Sequence, residues 1–196
     1  YSISRNIKAL KESSFLYPRE VDLVDENSID KFCNEIKNEG LQVDALINNA
    51  GAFLNKPFEK ISKKEFEYIF QVNVFGLSSI TRKVLPIIDS KGHIVNITSM
   101  GGINGAAKFT GLSAYSSSKG AVNILTELLA EEYKEKGPSF NALAFGAVQT
   151  EMLEEAFPGL KAPISAKEIA DFILDFSLQG QKYFNGKIIP VSSTTP

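Results

Sequence analysis

The chain has 196 residues, 43% of them hydrophobic and 22% charged, which is the make-up of one globular domain with a sizeable core. Its formal net charge of -2 excludes the basic excess that nucleic acid or a membrane surface would demand. The single cysteine, Cys33, excludes an internal disulfide framework and points to a reducing, cytoplasmic setting, and no apolar run reaches the ~18–20 residues that span a bilayer.

Short apolar runs alternate with helical patterns along the chain, without repeats or linkers. Tyr1 to Ser4 reads as a strand that starts without a polar lead-in, and Glu20 to Leu23 as a second short strand. Ile29, Phe32, Cys33 and Ile36 recur at i, i+3, i+4, i+7 and predict a helix closed by Gly40. Ala45 to Ile47 is a buried strand. The capping box Ser62-Lys63-Lys64-Glu65 then opens a long helix running towards Ile88. His93 to Thr98 is a fourth strand. Tyr115 to Lys136 is helical, with an apolar stripe at Ala121, Ile124, Leu125, Leu128 and Leu129. Phe140 to Phe145 is a strand. Ser165 caps a helix carrying Ile169, Phe172, Ile173 and Phe176, and Lys187 to Val191 is the sixth strand. This order predicts an α/β fold: a Rossmann-like doubly wound parallel sheet with helices on both faces, in one domain over 1–196.

The chemistry is concentrated around Tyr115 and Lys119. At i and i+4 they share one helix face, and Ser99 stands at the end of the fourth strand. A free phenol has a pKa of ~10, and a lysine cation beside it favours the phenolate. A serine hydroxyl can hold a carbonyl or alcohol oxygen next to that phenol, which makes the trio a general acid/base for a carbonyl–alcohol pair. Alone, a Tyr-x-x-x-Lys spacing is common on helix surfaces. Asn48-Asn49-Ala50-Gly51 follows a strand with residues small enough for close approach to a ligand. Asn73 puts an amide inside an otherwise apolar helix, where its ordinary fate is a satisfied buried group. His93, the only histidine, has no cysteine or histidine cluster near it in sequence, so no metal site is expected.

The ordered set Asn-Asn-Ala-Gly (48–51), Val-Asn-Val (72–74), Ile-Val-Asn-Ile-Thr-Ser (94–99), Tyr-x-x-x-Lys (115–119) and Gly-x-Val-x-Thr (146–150) resembles the short-chain dehydrogenase/reductase family across nearly the whole chain. The resemblance implies an oxidoreductase that moves a hydride between a nicotinamide and a small carbonyl or alcohol. Tyr115 would exchange the proton, and Lys119 would lower its pKa and bind the nicotinamide ribose. Ser99 would hold the reacting oxygen, and Asn73 would position a water in a proton relay. Arg5, with the non-acidic Ser4 before it, would meet the 2′-phosphate of NADP, a solvated surface arginine being the alternative. Asp22 would border the adenine. Asn49, Ala50 and Gly51 would line the ribose side, and Val148 and Thr150 the carboxamide and phosphate side. Family members also pair two helices across a two-fold axis. A homodimer or homotetramer is therefore expected through helices 62–88 and 115–136, using Phe75, Leu77, Ile80, Ala121, Leu125 and Leu128.

The chain departs from the family in three places. Phe145-Gly146 stands where the family has Pro-Gly, and the interval from Ser99 to Tyr115 is 16 positions, a few longer than usual. No Thr-Gly-x-x-x-Gly-x-Gly occurs, so the first strand, phosphate loop and helix are expected to lie in about 30 further N-terminal residues. In the strand order 3-2-1-4-5-6 that absence would leave Tyr1–Ser4 and Ala45–Ile47 roughly 9–10 Å apart across a slot. The competing reading is a catalytically silent fragment that keeps the fold as an interaction module.

Overall fold

In the computed structural model, which describes residues 1–8 and 10–193, the chain opens with a parallel pair, β1 (Ser2–Ser4) and β2 (Pro18–Glu20). β2 shares only Glu20 with the expected Glu20–Leu23 run because Asp22 turns the chain, its carboxylate accepting from Val24 N at 3.0 Å. Helix α1 (Glu26–Asn38) starts at Asp25, whose side chain accepts from Asn27 N. It closes as expected at Gly40, with φ +68°, where Gly40 N reaches Lys37 O and Leu41 N reaches Ile36 O. Those two bonds satisfy carbonyls that the last turn would otherwise leave free.

β3 (Val43–Asn48) leads to α2 (Lys63–Phe70), whose capping box at Ser62 and Glu65 is present in full. The helix predicted to run from Ser62 to Ile88 is interrupted twice. A π-helical turn over Gln71–Gly76 inserts between α2 and α3 (Leu77–Val84), and the chain leaves α3 two residues before Pro86. Proline cannot donate to the helix ladder and restricts the residue before it, which explains the second break. The first ends at Gly76, where Leu23 approaches closely: a β-carbon there would lie 2.7 Å from Leu23 O.

β4 (Ile88–Ser99), α4 (Ser113–Glu132), β5 (Ser139–Phe145), α5 (Glu151–Ala156), α6 (Ala166–Gln179) and β6 (Lys187–Val191) complete the order. β3-β4-β5-β6 form a parallel sheet, and the paired part of β4 and β5 is buried almost throughout, as strands covered on both faces must be. On one face Ile29, Ile80, Val84 and Ala130 pack on Ile94 and Phe140. On the other, α6 lays Ile169, Ile173 and Phe176 over Val95 and Leu143. This is the Rossmann-like doubly wound architecture. Among the described strands no ladder joins β1 to β3. A cavity of about 910 Å³ lies between them, walled by Ile3, Val21, Leu46, Ile80 and Val84 among others.

Several polar groups inside the core are paired with one another. Asn48 Nδ2 donates to Thr81 Oγ1 at 3.0 Å and to Asn96 Oδ1 at 2.8 Å, and Asn96 Nδ2 to Thr126 Oγ1 at 2.9 Å. This chain of amides ties β3 and β4 to the helices α3 and α4. His93, fully buried, sits between Ser177 O at 3.2 Å and Asn141 Nδ2 at 2.9 Å. Burial holds its pKa below the ordinary histidine value, so it is a neutral structural link.

Candidate active site

The carboxyl ends of β3 and β4 and the first turns of α4 meet at one place, the position where parallel α/β sheets present ligands. α4 starts at Ser113, two residues before Tyr115, which sets the Tyr115 and Lys119 side chains on one face toward the end of β4. Lys119 is buried and donates from Nζ to Ile97 O at 2.8 Å, the one hydrogen bond that the described residues give its three donors. Burial pulls its pKa down to about 8. Its ammonium lies 5.8 Å from the centre of the Tyr115 ring.

Tyr115 is half-buried, its ring 4.9 Å from that of Phe53. Burial pushes the phenol up to about 12, while a hydrogen bond with Ser99 pulls the other way. Desolvation of the phenol outweighs the pull of Ser99 in this geometry. Ser99 also accepts from Gly101 N at 3.3 Å as the chain leaves β4.

Asn73 occupies the π-helical turn and is buried. Its Oδ1 accepts from Ala52 N at 2.7 Å, and its Nδ2 donates to Ala52 O at 3.0 Å and to Ser118 Oγ at 2.9 Å. Both amide hydrogens are thus used to staple segment 51–53 to α4, inside the Tyr-Ser-Ser-Ser-Lys run. The Asn73 side chain thereby holds the loop carrying Phe53. Replacing Asn73 with leucine strands one donor and two acceptors, at about 1–3 kcal/mol for each that stays buried. We expect Asn73→Leu to lose about 2–4 kcal/mol in chemical denaturation at pH 7. A loss under 1 kcal/mol would mean that water replaces the amide without cost.

The same loop is strapped further on. Lys56 N donates to Gly111 O at 2.9 Å, Asn55 Nδ2 to Ala156 O at 3.1 Å, and Lys56 Nζ lies 2.8 Å from Glu65 Oε1. Neither Phe53 nor Ser118 was singled out by sequence reading. Phe53 follows the Asn-Asn-Ala-Gly motif by two positions, which is the only local signal for it.

The other sequence candidates fall into two groups. Arg5, Asp22, Asn49, Ala50 and Gly51 all line the cavity between β1 and β3. Arg5 Nη1 donates to Tyr68 OH at 3.0 Å, and Asp22 N to Ser28 Oγ at 3.1 Å. Val148 instead packs into the apolar cluster under α6, and Thr150 caps α5, its Oγ1 accepting from Leu153 N at 3.2 Å. A β-carbon built at Gly51 would lie 3.4 Å from Asn73 Oδ1 and 3.5 Å from Lys119 Nζ. Glycine there keeps open the space beside a buried ammonium with two donors to spare, which fits the ribose diol of a nicotinamide nucleotide. Among the described residues no group of three or more His, Cys, Asp or Glu could hold a metal, and no helix is long and apolar enough to cross a membrane.

Comparison with known proteins agrees with this geometry. The profile of the family described as short chain dehydrogenase matches residues 2–161. L-2,3-butanediol dehydrogenase of Corynebacterium glutamicum is 34% identical over 161 residues, covering 80% of this chain and 60% of that protein. The 3-oxoacyl-[acyl-carrier-protein] reductase of Aquifex aeolicus is 32% identical over 185 residues, covering 88% and 73%. Several of these relatives are much longer than the chain, which spans 55% of the Azospirillum brasilense nodulation protein G. In fold, the aldohexose dehydrogenase of Thermoplasma acidophilum superposes with a TM-score of 0.85 at 21% identity, covering 97% of this chain and 81% of its own.

Proposed function

The chain belongs to the short-chain dehydrogenase family, and from that premise we propose that it is the catalytic part of an NADP-dependent oxidoreductase acting on a small carbonyl or alcohol. The observation that carries this reading is the cluster at the end of β4: a phenol interacting with Ser99, backed by a buried ammonium beside the space that Gly51 leaves open. Lys119 holds the nicotinamide ribose and Ser99 the reacting oxygen, while Tyr115 gives or takes its proton. The nicotinamide supplies or accepts the hydride when bound. Asn73 holds segment 51–53, and with it the Phe53 ring that shields the phenol.

The named substrates of the butanediol dehydrogenase and oxoacyl reductase among its relatives contain alcohol or ketone carbons, and this chain's substrate belongs to that broad class. The silent-module alternative has no observation of its own in this site. A cytoplasmic location follows the same reading, with Cys33 a buried thiol pushed up to about 11 and hence unreactive. The test is consumption of reduced nicotinamide, followed by absorbance, against a panel of ketones and aldehydes. Loss of activity with all of them, under conditions where the nucleotide binds, would contradict the proposal.

Preference for NADP rests on Arg5, exposed at the end of β1, and on the absence of an acidic residue at Ser4. A hydrogen bond to a charged partner contributes about 1.5–3 kcal/mol, or roughly 10- to 150-fold in affinity. Titrating NADPH and NADH should show that preference in the parent and its loss in Arg5→Ala. Equal affinities in the parent would contradict it.

Self-association through the helical stretch 63–84 and α4 is the accompanying proposal. Leu77 and Ile80 are buried inward, but Phe75, Ile124 and Leu128 are 55%, 58% and 61% exposed. Light scattering at micromolar concentration should give at least a dimer, and Leu128→Glu should reduce it. A monomer mass for the parent would contradict the proposal.

A further inference from the structure

The long interval between Ser99 and Tyr115 ends in a bend fitted to one side chain. Gly111 has φ +88°, a left-handed conformation that a β-carbon makes costly. A β-carbon there would also lie 2.1 Å from Asn55 Oδ1, so glycine leaves the space that the Asn55 amide fills. The backbone beside it closes the contact, Lys56 N donating to Gly111 O at 2.9 Å. Gly111 precedes Leu112, from which α4 starts, and Tyr115 stands in the first turn of that helix. Lys108 folds the rest of the interval on itself, its Nζ donating to Ile103 O and Ala106 O at 2.7 Å each.

The other end of the Asn55 amide reaches a third segment. Its Nδ2 donates at 3.1 Å to Ala156 O, a carbonyl in the last turn of α5, where the helix has no donor left to offer it. α5 belongs to a loop that leaves the sheet after Phe145, the residue in register with Ser99. Gln149 closes the base of that loop: its N donates to Ile164 O at 2.9 Å, and its Oε1 accepts from Ala162 N at 2.9 Å. Above the base α5 has no buried residue. Leu153 N and Gly159 N donate within the loop, to Thr150 Oγ1 and Glu154 Oε1. Burial therefore does not fix α5 beside the active site. Among the described residues, the tie between the middle of this loop and another part of the chain is the Asn55 amide.

We propose that Asn55 is a positioning residue of the active site: it latches α5 to the segments that carry Phe53 and Tyr115, and so holds the wall against which a large substituent of the reacting carbon rests. Phe53, two residues before Asn55, lies against the Tyr115 ring, and Gly111 lies four residues before that tyrosine. One amide thus joins the three segments that border the phenol, its oxygen seated at Gly111 and its nitrogen on α5. A small carbonyl compound reaches Ser99 and Tyr115 without touching α5, whereas a bulky one extends to it. The role in substrate size rests on the oxidoreductase reading; the latch itself does not.

Hydrogen exchange read by mass spectrometry, on the whole chain without nucleotide, tests the latch. One neutral hydrogen bond shifts a local equilibrium by about 2- to 12-fold. Asn55→Ala should speed exchange of the α5 amides by about that factor and leave α4 at the parent's rate. Gly111→Ala should do the same by displacing the amide, and both substitutions together should loosen α5 no more than either alone. The proposal is overturned if the α5 amides of Asn55→Ala exchange as in the parent, or if α4 loosens equally. Kinetics with NADPH and two ketones, acetone and acetophenone, gives the second readout. Asn55→Ala should raise KM for acetophenone by about 2- to 12-fold, with KM for acetone and both kcat values within about twofold of the parent. Equal changes for the two ketones, or a fall in kcat with KM unmoved, would overturn the role in substrate size. Turnover of neither ketone by the parent counts against the oxidoreductase reading, and the exchange comparison still decides the latch.

Discussion

Tyr115→Phe should lower turnover about 10²- to 10⁴-fold, roughly 3–5 kcal/mol in barrier, while nucleotide affinity stays within a few-fold of the parent. The substitution removes one hydroxyl and its hydrogen bond with Ser99, and the ring still packs on Phe53. Because burial pushes the phenol up to about 12, it is protonated throughout neutral pH. It is then a ready acid for carbonyl reduction and a scarce base for alcohol oxidation. The reductive rate should be flat between about pH 6 and 9, and the oxidative rate should climb about tenfold per pH unit. A Tyr115→Phe variant within a few-fold of the parent in both directions would remove the phenol from the chemistry.

Lys119→Met should make the protein more stable at pH 7 even as it disables the site. Burial lowers the lysine from 10.5 to about 8, so at pH 7 the folded state carries a charge that it disfavours by about 3 kcal/mol. Methionine is of similar length and apolar; it gives up the bond to Ile97 O, worth about 1 kcal/mol. The net gain is about 2 kcal/mol, or roughly 4–8 °C in Tm. The sign reverses with alkali. Between pH 8 and 10.5 the folded parent sheds this proton while the unfolded chain keeps it, so the parent gains stability as pH rises. The advantage of Lys119→Met should therefore shrink by about 3 kcal/mol across that window. Denaturation curves for both proteins at pH 7 and 10.5 check this, and a difference that does not move with pH would contradict it.

These two groups were legible in the sequence because a fixed helical spacing and a strand end bring Tyr115, Lys119 and Ser99 together. Their electrostatics were not legible: which of burial and a neighbouring cation prevails over a phenol depends on packing that a spacing does not specify. The strands were readable for a similar reason. Ile94, Val95 and Leu143 lie in short apolar runs, and the capping boxes at Ser62 and Ser165 marked two helix starts. The break at Gln71–Gly76 was hidden because Val72-Asn73-Val74 fits a continuous helix as well as a π-helical turn. Segment 51–57 was opaque because its shape comes from Asn73, Gly111 and Ala156, each distant in sequence. Thr150 illustrates the opposite limit. Its hydroxyl accepts the cap bond of α5, a local role that the sequence reading did not assign to it.

Hydride transfer is the central claim, and isotopic labelling tests it most directly. The protein is incubated with a small ketone and reduced nicotinamide deuterated on the transferring face of C4, as NADPH and as the mononucleotide, which lacks the adenylate half. Mass spectrometry of the alcohol should find one deuterium on the carbinol carbon, in a yield that collapses in Tyr115→Phe. Alcohol formed without deuterium, or in the same yield by Tyr115→Phe, would contradict the account.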